Sequence, residues 1–178
     1  MLFNVYASIL YLTSHLLGID AQPAALTVRA RHSVCVALTE EAGRLFELLG
    51  AEVSLLAPSG RRMEQGETML AVRGRADALH RGWKVAMNLL EHACGVATRT
   101  AEMVDKVHVA ANIPLLITRK HLPGAKKILT KAFLAGGAVP HRLGLSETIL
   151  IFENHLNLLG GWARLPELIC SMKASACE

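Results

Sequence analysis

The chain has 178 residues, of which 52% are apolar, and a formal net charge of +4. This apolar content is enough for a buried core, and the length suits one or two domains. The mild charge and an aromatic content of only 4% argue against a protein that wraps nucleic acid or stacks bases. We therefore expect small anions as ligands and no nucleic-acid partner.

The N-terminal segment is apolar, but polar residues interrupt it and the first basic residue is Arg29. It lacks the positive start of a signal peptide and the roughly 20 apolar residues of a membrane span. The spacing of the eight histidines and of the cysteines matches no metal site. We expect a cytoplasmic protein with no membrane partner, no metal ligands and free thiols at Cys35, Cys94, Cys170 and Cys177.

The first part of the chain predicts a small sheet and one helix. Alternating or β-rich runs indicate strands over residues 25–31 and 33–38. Thr39 offers a capping hydroxyl for the helix that follows, and Gly50 would end that helix. The apolar residues of this helix that should face the core are Leu45, Phe46, Leu48 and Leu49.

Two further strands are expected over residues 53–57 and 68–73, on either side of a turn with glycines. The pattern G-x-x-M-x-x-G-E-x-M in this turn resembles the hairpin of biotinyl and lipoyl carrier domains. Such carriers need a lysine at a tight turn, and this turn has none. An ordinary strand pair in a sandwich is the better interpretation.

Residues 75–110 have helical spacing, with a break expected near Gly95. The polar face of this helix carries Lys84, Asn88 and Glu91. The simplest interpretation is that this face is exposed to solvent. The residues that should form its buried stripe are Leu79, Trp83, Ala86, Leu90 and Ala93.

The second part predicts the start of a parallel layer. A buried-strand pattern covers residues 115–118, a helix should cover residues 125–135 and end at Gly136-Gly137, and another strand is expected from Thr148 to Phe152. The expected fold class is α/β. An α+β sandwich domain over residues 1–110 would precede the first part of an α/β barrel over residues 111–178.

Two cationic pairs are candidate ligand-binding groups. Arg119-Lys120 follows the first barrel strand, and functional residues of α/β barrels gather at the carboxyl ends of strands. Guanidinium offers two parallel hydrogen bonds to phosphate or carboxylate, and ammonium adds a point charge. His141-Arg142 is a second pair. Either pair alone is most simply a solvated surface feature, but together they predict a pocket for a multiply charged anion.

Three ordered motifs carry a family resemblance. W-K-V-A-M-N-L-L-E-H-A-C-G-V-A-T, T-R-K-H-L-P-G and P-H-R-L-G-L-S-E-T-I-L-I-F-E-N-H resemble a helix pair and two anion-binding segments of nicotinate-nucleotide (quinolinate) pyrophosphorylases. The similarity runs from about Leu12 to Leu168. It is closest to the ModD-type branch, which is associated with molybdenum transport operons.

The resemblance implies a phosphoribosyltransferase, a pentosyltransferase of the carboxylating nicotinate-nucleotide type. It would use phosphoribosyl pyrophosphate, a small acidic substrate and Mg²⁺, in a homodimer with shared active sites. Lys84 would enter the neighbouring subunit's pocket. The residues that would contact the acidic substrate and phosphates are Thr118, Arg119, Lys120, His141 and Arg142.

Some positions depart from the family pattern. Lys84 occupies a position where quinolinate enzymes usually have an arginine, and Phe152 occupies one where they have a lysine. These two changes predict a substrate with fewer or differently placed carboxylates than quinolinate. Tyr11 replaces an aspartate. Val34 and Leu38 replace the glycines of G-x-x-A-G, and we expect backbone strain where a positive φ is required.

The family's acidic residues for ribose and magnesium, and its phosphate loops, come from later barrel strands. The chain is therefore expected to be a fragment or a truncated product, without magnesium ligands of its own. The alternative function is a non-catalytic dimerisation or regulatory module that lacks the magnesium site.

Overall fold

A computed structural model describes residues 11–142, 144 and 149–175, with only the helical backbone for the last four. The chain divides into two compact units, Met1–His141 and Arg142–Glu178. No helix in the described ranges is long and apolar enough to cross a membrane.

The elements are α1 (Leu12–Leu16), β1 (Pro23–Arg29), β2 (Val34–Cys35), α2 (Thr39–Leu48), β3 (Glu52–Leu55), β4 (Arg62–Met63), β5 (Thr68–Arg75), α3 (Ala76–Ala111), β6 (Leu116–Ile117), α4 (Lys126–Ala135), β7 (Val139–Pro140), α5 (Glu153–Leu159), a 3₁₀ turn (Trp162–Arg164) and α6 (Leu165–Ser175).

An antiparallel sheet of order β1-β5-β3 forms the base of the first unit. Val72 of β5 lies opposite Leu26 of β1 on one side and Val53 of β3 on the other. These strands confirm the ones predicted over residues 25–31, 53–57 and 68–73, with bounds shifted by a few residues. The pair β2–β4 is separate, and β4 was not predicted because its two residues form too short a run for a period to be detected.

A strand was predicted over residues 33–38, but the observed strand β2 covers only Val34–Cys35. The chain turns at Leu38. Leu38 has φ 65° and ψ 23°, the left-handed region, although its side chain is only 2% exposed. The strain expected from the loss of the family's glycine is therefore present at Leu38. It is absent at Val34, which lies in β2 and has no positive φ.

Two expectations about α2 are wrong. The hydroxyl of Thr39 does not cap the helix; it donates a hydrogen bond to the carbonyl of Ala57 at 2.7 Å, and Leu38 is the N-cap residue. Leu48 faces solvent and is 66% exposed, whereas Phe46 is fully buried. Gly50, with φ 83°, follows the end of the helix as predicted.

Helix α3 is continuous over 36 residues, so the predicted break near Gly95 is wrong. A Cβ at Gly95 would meet nothing within 4 Å, and one glycine in a helix costs about 1 kcal/mol without ending it. Lys84, Asn88 and Glu91 are exposed as expected. In the predicted stripe Trp83 is half-buried, and the fully buried members are Leu79, Ala86, Leu90 and Ala93.

Helix α3 also joins the two parts of the first unit. Its first half packs on the sheet and on Phe46, and its second half packs on α4 through Ala97 and Ala101. The contact with α4 is close, since a Cβ added at Gly136 would lie 2.6 Å from the carbonyl oxygen of Ala97. Small residues therefore set the spacing of these two helices.

Strands β6 and β7 pair in parallel, with α4 between them in sequence. This confirms a parallel strand–helix–strand unit but corrects the position of its second strand. Residues 149–152 form no strand, and Thr148 lies outside the described residues. A strand is defined by its hydrogen-bonding partner, and the apolar run at 149–152 has no partner strand in the described part of the chain.

Candidate functional site

The carboxyl ends of β6 and β7 form one edge. Leu116 pairs with Val139 and Ile117 with Pro140, so the residues that follow each strand emerge side by side. The backbone N–H of His141 donates to the carbonyl of Ile117 at 3.3 Å. His141 is therefore held next to Thr118, although 23 positions separate the two in sequence.

A short turn follows β6 at this edge. The backbone N–H of Lys120 donates to the hydroxyl of Thr118 at 3.3 Å. The side chains of Thr118, Arg119, Lys120 and His141 are exposed. Neither Arg119 nor Lys120 forms an ion pair within the described ranges. The edge thus presents two cations and an imidazole to solvent, and no carboxylate among the described residues forms an ion pair with Arg119 or Lys120.

Helix α4 supports both loops of this edge. The His121 ring lies 6.1 Å from the Phe133 ring of α4, measured between centroids. After α4, Gly137 has φ 89° and allows the turn into β7. The positions of the two loops therefore depend on how α4 is packed.

Lys84 lies in the first half of α3, before the segment that packs on α4. It is exposed, and its ammonium is 5.2 Å from the ring centroid of Trp83, a cation–π contact. Helix α4 docks on α3 at Ala97 and Thr100. At about 1.5 Å per residue, 13 residues of helix separate Lys84 from Ala97 by about 20 Å.

Arg142 follows His141 directly in the chain and opens the second unit, where it is half-buried. In this unit Phe152 and His155 stack at the start of α5. Their ring centroids are 5.8 Å apart and their planes differ by 24°.

A polar cluster that the sequence analysis missed fastens α4 to the first half of the unit. The carboxylate of Glu40 accepts hydrogen bonds from the backbone N–H and hydroxyl of Ser59, at 2.8 and 2.6 Å, and from the Lys131 ammonium at 3.1 Å. Lys131 also donates to Glu41 at 2.7 Å. Only the acidic start of α2 hinted at this cluster, because Ser59 and Lys131 are distant in sequence.

The ionisation of this cluster follows from its hydrogen bonds. Burial by itself raises the pKa of Glu40, but the bonds from Ser59 and Lys131 outweigh it and lower the pKa to about 2. Burial lowers the pKa of Lys131, and the neighbouring carboxylates of Glu41 and Glu40 reverse this into a raised pKa. Both partners are therefore held in their charged forms.

A separate groove of about 790 Å³ lies between β1 and α3. Apolar side chains such as Phe46, Trp83 and Leu90 line its floor, and Arg29 and Arg31 stand on its wall. None of the site residues predicted from the sequence lines this groove.

Two of the described thiols, Cys35 and Cys94, are buried in the core. Burial raises the pKa of both Cys35 and Cys94, and the Cys94 sulfur accepts the backbone N–H of Ala37 at 3.3 Å. Cys170 is also a free thiol but is exposed, and Cys177 lies outside the described residues.

An antiparallel sheet domain followed by a parallel strand–helix–strand unit, with cations at the carboxyl edge, defines a protein of the mixed α/β class. Two family models match the chain: "Quinolinate phosphoribosyl transferase, N-terminal domain" over residues 11–94 and "Quinolinate phosphoribosyl transferase, C-terminal domain" over residues 96–172. The chain belongs to the quinolinate phosphoribosyl transferase family. The two matches meet inside the continuous helix α3, and the predicted boundary at residues 110–111 stays a prediction.

Curated relatives agree with the family. The chain is 41% identical over 168 residues to "Putative pyrophosphorylase ModD" of Rhodobacter capsulatus, covering 94% of this chain and 64% of that protein. It is 33% identical over 142 residues to a carboxylating nicotinate-nucleotide pyrophosphorylase of Mycobacterium leprae, covering 75% and 50% of the two chains. The chain thus spans between half and two thirds of the length of these relatives.

A solved structure has the same fold. The crystal structure of NadC from Streptococcus pyogenes superposes with a TM-score of 0.84 at 24% identity, covering 98% of this chain and 61% of that one. At this identity the likeness supports the fold alone. The expected α/β class is confirmed.

Proposed function

We propose that the chain carries the phosphate-binding part of a ModD-type phosphoribosyltransferase, which moves ribose 5-phosphate from phosphoribosyl pyrophosphate to a small acidic acceptor. One observation carries the proposal. The parallel pair β6–β7 brings the Thr118-Arg119-Lys120 turn and His141 to one exposed edge, where no described carboxylate pairs with the two cations. Family membership supports the reaction class.

The chemistry needs cations at such an edge. In the transfer, a lone pair of the acceptor forms a bond to C1′ of ribose while the bond from C1′ to the pyrophosphate oxygen breaks, and pyrophosphate leaves with the electrons of that bond. Donors arranged before the reaction around the departing charge stabilise the transition state, and this is usually the largest catalytic contribution. Arg119 and Lys120 would bind the anionic groups, and Arg142 would join them as the neighbour of His141.

We extend the proposal to a homodimer with shared sites. The family resemblance assigns this position to the neighbouring subunit's pocket, and Lys84 is exposed and lies about 20 Å along α3 from the segment that docks α4. Two copies related by a two-fold axis would each supply this ammonium to the other.

Magnesium has no assigned ligands in this proposal. In the described ranges no three His, Cys, Asp or Glu side chains are grouped as a metal site requires. The second candidate function is a non-catalytic dimerisation or regulatory module. The two candidates differ in whether the edge binds phosphoribosyl pyrophosphate. A functional link to molybdenum and a cytoplasmic location stay predictions.

Calorimetric titration with phosphoribosyl pyrophosphate, with and without Mg²⁺, tests the edge. We expect binding, and Arg119→Ala should weaken it about tenfold or more, because a charge-assisted hydrogen bond contributes about 1.5–3 kcal/mol. Arg44→Ala is the matched control, since Arg44 is an exposed arginine on α2 that pairs with Glu47 three residues away. No binding, or equal binding by wild type and Arg119→Ala, would favour the non-catalytic module.

A further inference from the structure

The loop between β6 and α4, which carries the two cations of the edge, has two hydrogen bonds of short range. The backbone N–H of Lys120 donates to the Thr118 hydroxyl at 3.3 Å, and the backbone N–H of Ala125 donates to the Leu122 carbonyl at 3.0 Å. Each bond joins residues two or three positions apart, so neither fixes the loop against the rest of the first unit. His121, between these two bonds, makes a contact of longer range.

The His121 ring is directed inward from this exposed loop. Lys120 and Leu122 on either side are exposed, whereas the His121 ring is half-buried and its Nδ1 atom is buried. The ring centroid lies 6.1 Å from that of Phe133 in α4, and the two planes are tilted by 42°. Aromatic rings at this separation and tilt attract each other. The Nδ1 atom makes no hydrogen bond within the described ranges, so the buried side of the ring is held by packing.

Phe133 is also bonded to the other segment of the edge. Its carbonyl accepts a hydrogen bond from the backbone N–H of Ala138 at 3.1 Å, and Ala138 leads directly into β7, which His141 follows. Phe133 therefore contacts the loop after β6 through its side chain and the entry to β7 through its backbone. One residue of α4 thus relates the two chain segments that form the edge.

We propose that His121 is a positioning residue for the anion-binding turn: its ring packs on Phe133 and keeps Arg119 and Lys120 where a phosphate or pyrophosphate group would bind. The inference rests on the proposed function and adds a residue that acts through its neighbours without touching the ligand. The ring contact favours one position of the loop. Where a binding-competent position is only partly populated, the apparent affinity falls in proportion to its population.

Two substitutions at His121 separate its ring from its nitrogens. His121→Asn removes the ring but keeps a polar side chain, so it should weaken the binding of phosphoribosyl pyrophosphate by about two- to tenfold, the range that one aromatic pair supports. His121→Phe keeps the ring and removes the nitrogens, so its affinity should stay within about twofold of wild type. If His121 instead contacts the ligand through a charge or a hydrogen bond, both variants lose affinity.

Phe133→Leu tests the other side of the contact. It should weaken binding by a similar factor, and its addition to His121→Asn should change the affinity little further, because the contact is already lost. His92→Asn is the matched control, since His92 is an exposed histidine on α3, and it should leave the affinity unchanged. Calorimetric titration with phosphoribosyl pyrophosphate gives the affinities, and thermal unfolding establishes that each variant is folded at the temperature of the titration.

Hydrogen–deuterium exchange of the Lys120 amide, which donates to Thr118, measures the loop without a ligand. Exchange should be faster than in wild type in His121→Asn and Phe133→Leu, but not in His121→Phe. Unchanged affinity or unchanged exchange in His121→Asn overturns the inference, as does an equal loss of affinity in His121→Phe. The proposed function survives such a result if wild type binds phosphoribosyl pyrophosphate in an Arg119-dependent way; if wild type does not bind it, both fall.

Discussion

Leu38 has a backbone conformation that leucine rarely adopts and a side chain that the core buries almost completely. A left-handed φ costs an L-residue about 1–2 kcal/mol, because Cβ approaches the following carbonyl oxygen. Burial of a leucine side chain contributes more than this, since its truncation typically costs about 2–5 kcal/mol. The fold keeps the strained residue because packing outweighs strain.

This balance predicts an unusual order of stability. Both Leu38→Gly and Leu38→Ala should destabilise the protein, but the glycine variant should be the more stable of the two by about 1 kcal/mol, because only glycine relieves the strain. Urea denaturation of the three proteins measures the difference.

Leu70 provides the control for Leu38. It is equally buried, lies in β5 and has no positive φ. At Leu70 the ordinary order should hold, with Leu70→Gly less stable than Leu70→Ala. If alanine is the more stable replacement at Leu38 as well, the left-handed conformation is not a source of strain.

At the residue scale, much of the candidate site could be predicted from the sequence. Arg119, Lys120 and His141 lie in local motifs, and residues that follow the strands of a parallel layer meet at its carboxyl edge. The partners of Glu40 could not be predicted, because Ser59 and Lys131 are brought to it only by the packing of α4 and a distant turn.

At the element scale, two glycines of α3 have the same local sequence pattern but different packing. A Cβ at Gly95 would meet open space, whereas a Cβ at Gly82 would lie 2.7 Å from the ring of Phe46. Periodicity treats the two positions alike, since both are glycines inside a helical pattern. Only the packed neighbours distinguish them.

We therefore expect opposite effects from the same substitution in α3. Gly95→Ala should stabilise the protein by about 0.5–1 kcal/mol, because alanine lowers the entropy of the unfolded chain and fits the helix. Gly82→Ala should destabilise it by about 1–3 kcal/mol, because the added methyl group displaces the fully buried Phe46 ring. Thermal unfolding followed by circular dichroism measures both. Destabilisation by Gly95→Ala would indicate that α3 is interrupted there after all.

The elements that periodicity predicted wrongly share one cause. The break at Gly95, the strand over residues 148–152 and the core position of Leu48 were each inferred from local residue type. In the structure, the continuity of α3 and the pairing of β6 with β7 are decided by long-range partners. The side chain of Leu48 is apolar but exposed to solvent, because no neighbouring element covers it on that side of α2.

At the scale of the whole first unit, the ion pairs of Lys131 join α4 to α2. The pKa of Glu40 is lowered from 4.5 to about 2, so the unfolded state binds more protons between these values and stability rises with pH there. The contribution should be complete above pH 4.5 and be lost as the pH falls through about 2.

Glu40→Gln should lower the free energy of unfolding at neutral pH by about 1–2 kcal/mol, allowing for solvent screening of a partly exposed pair. The gap between the two proteins should narrow as the pH falls from 4.5 toward 2. Urea denaturation at a series of pH values measures it. Glu47→Gln, at an exposed ion pair on the same helix, should change stability little. A gap that persists unchanged at low pH would contradict the assigned ionisation.

By itself, the sequence determined the family, the α/β class, the order of most elements and the cationic motifs, because periodicity, glycine positions and short motifs are properties of neighbouring residues. Tertiary structure decided which of these features act together. It paired β6 with β7 so that two separated motifs share an edge, held Leu38 in a strained conformation and fastened α4 through Glu40 and Lys131. Each of these depends on contacts between residues far apart in the chain, where local propensity carries no information.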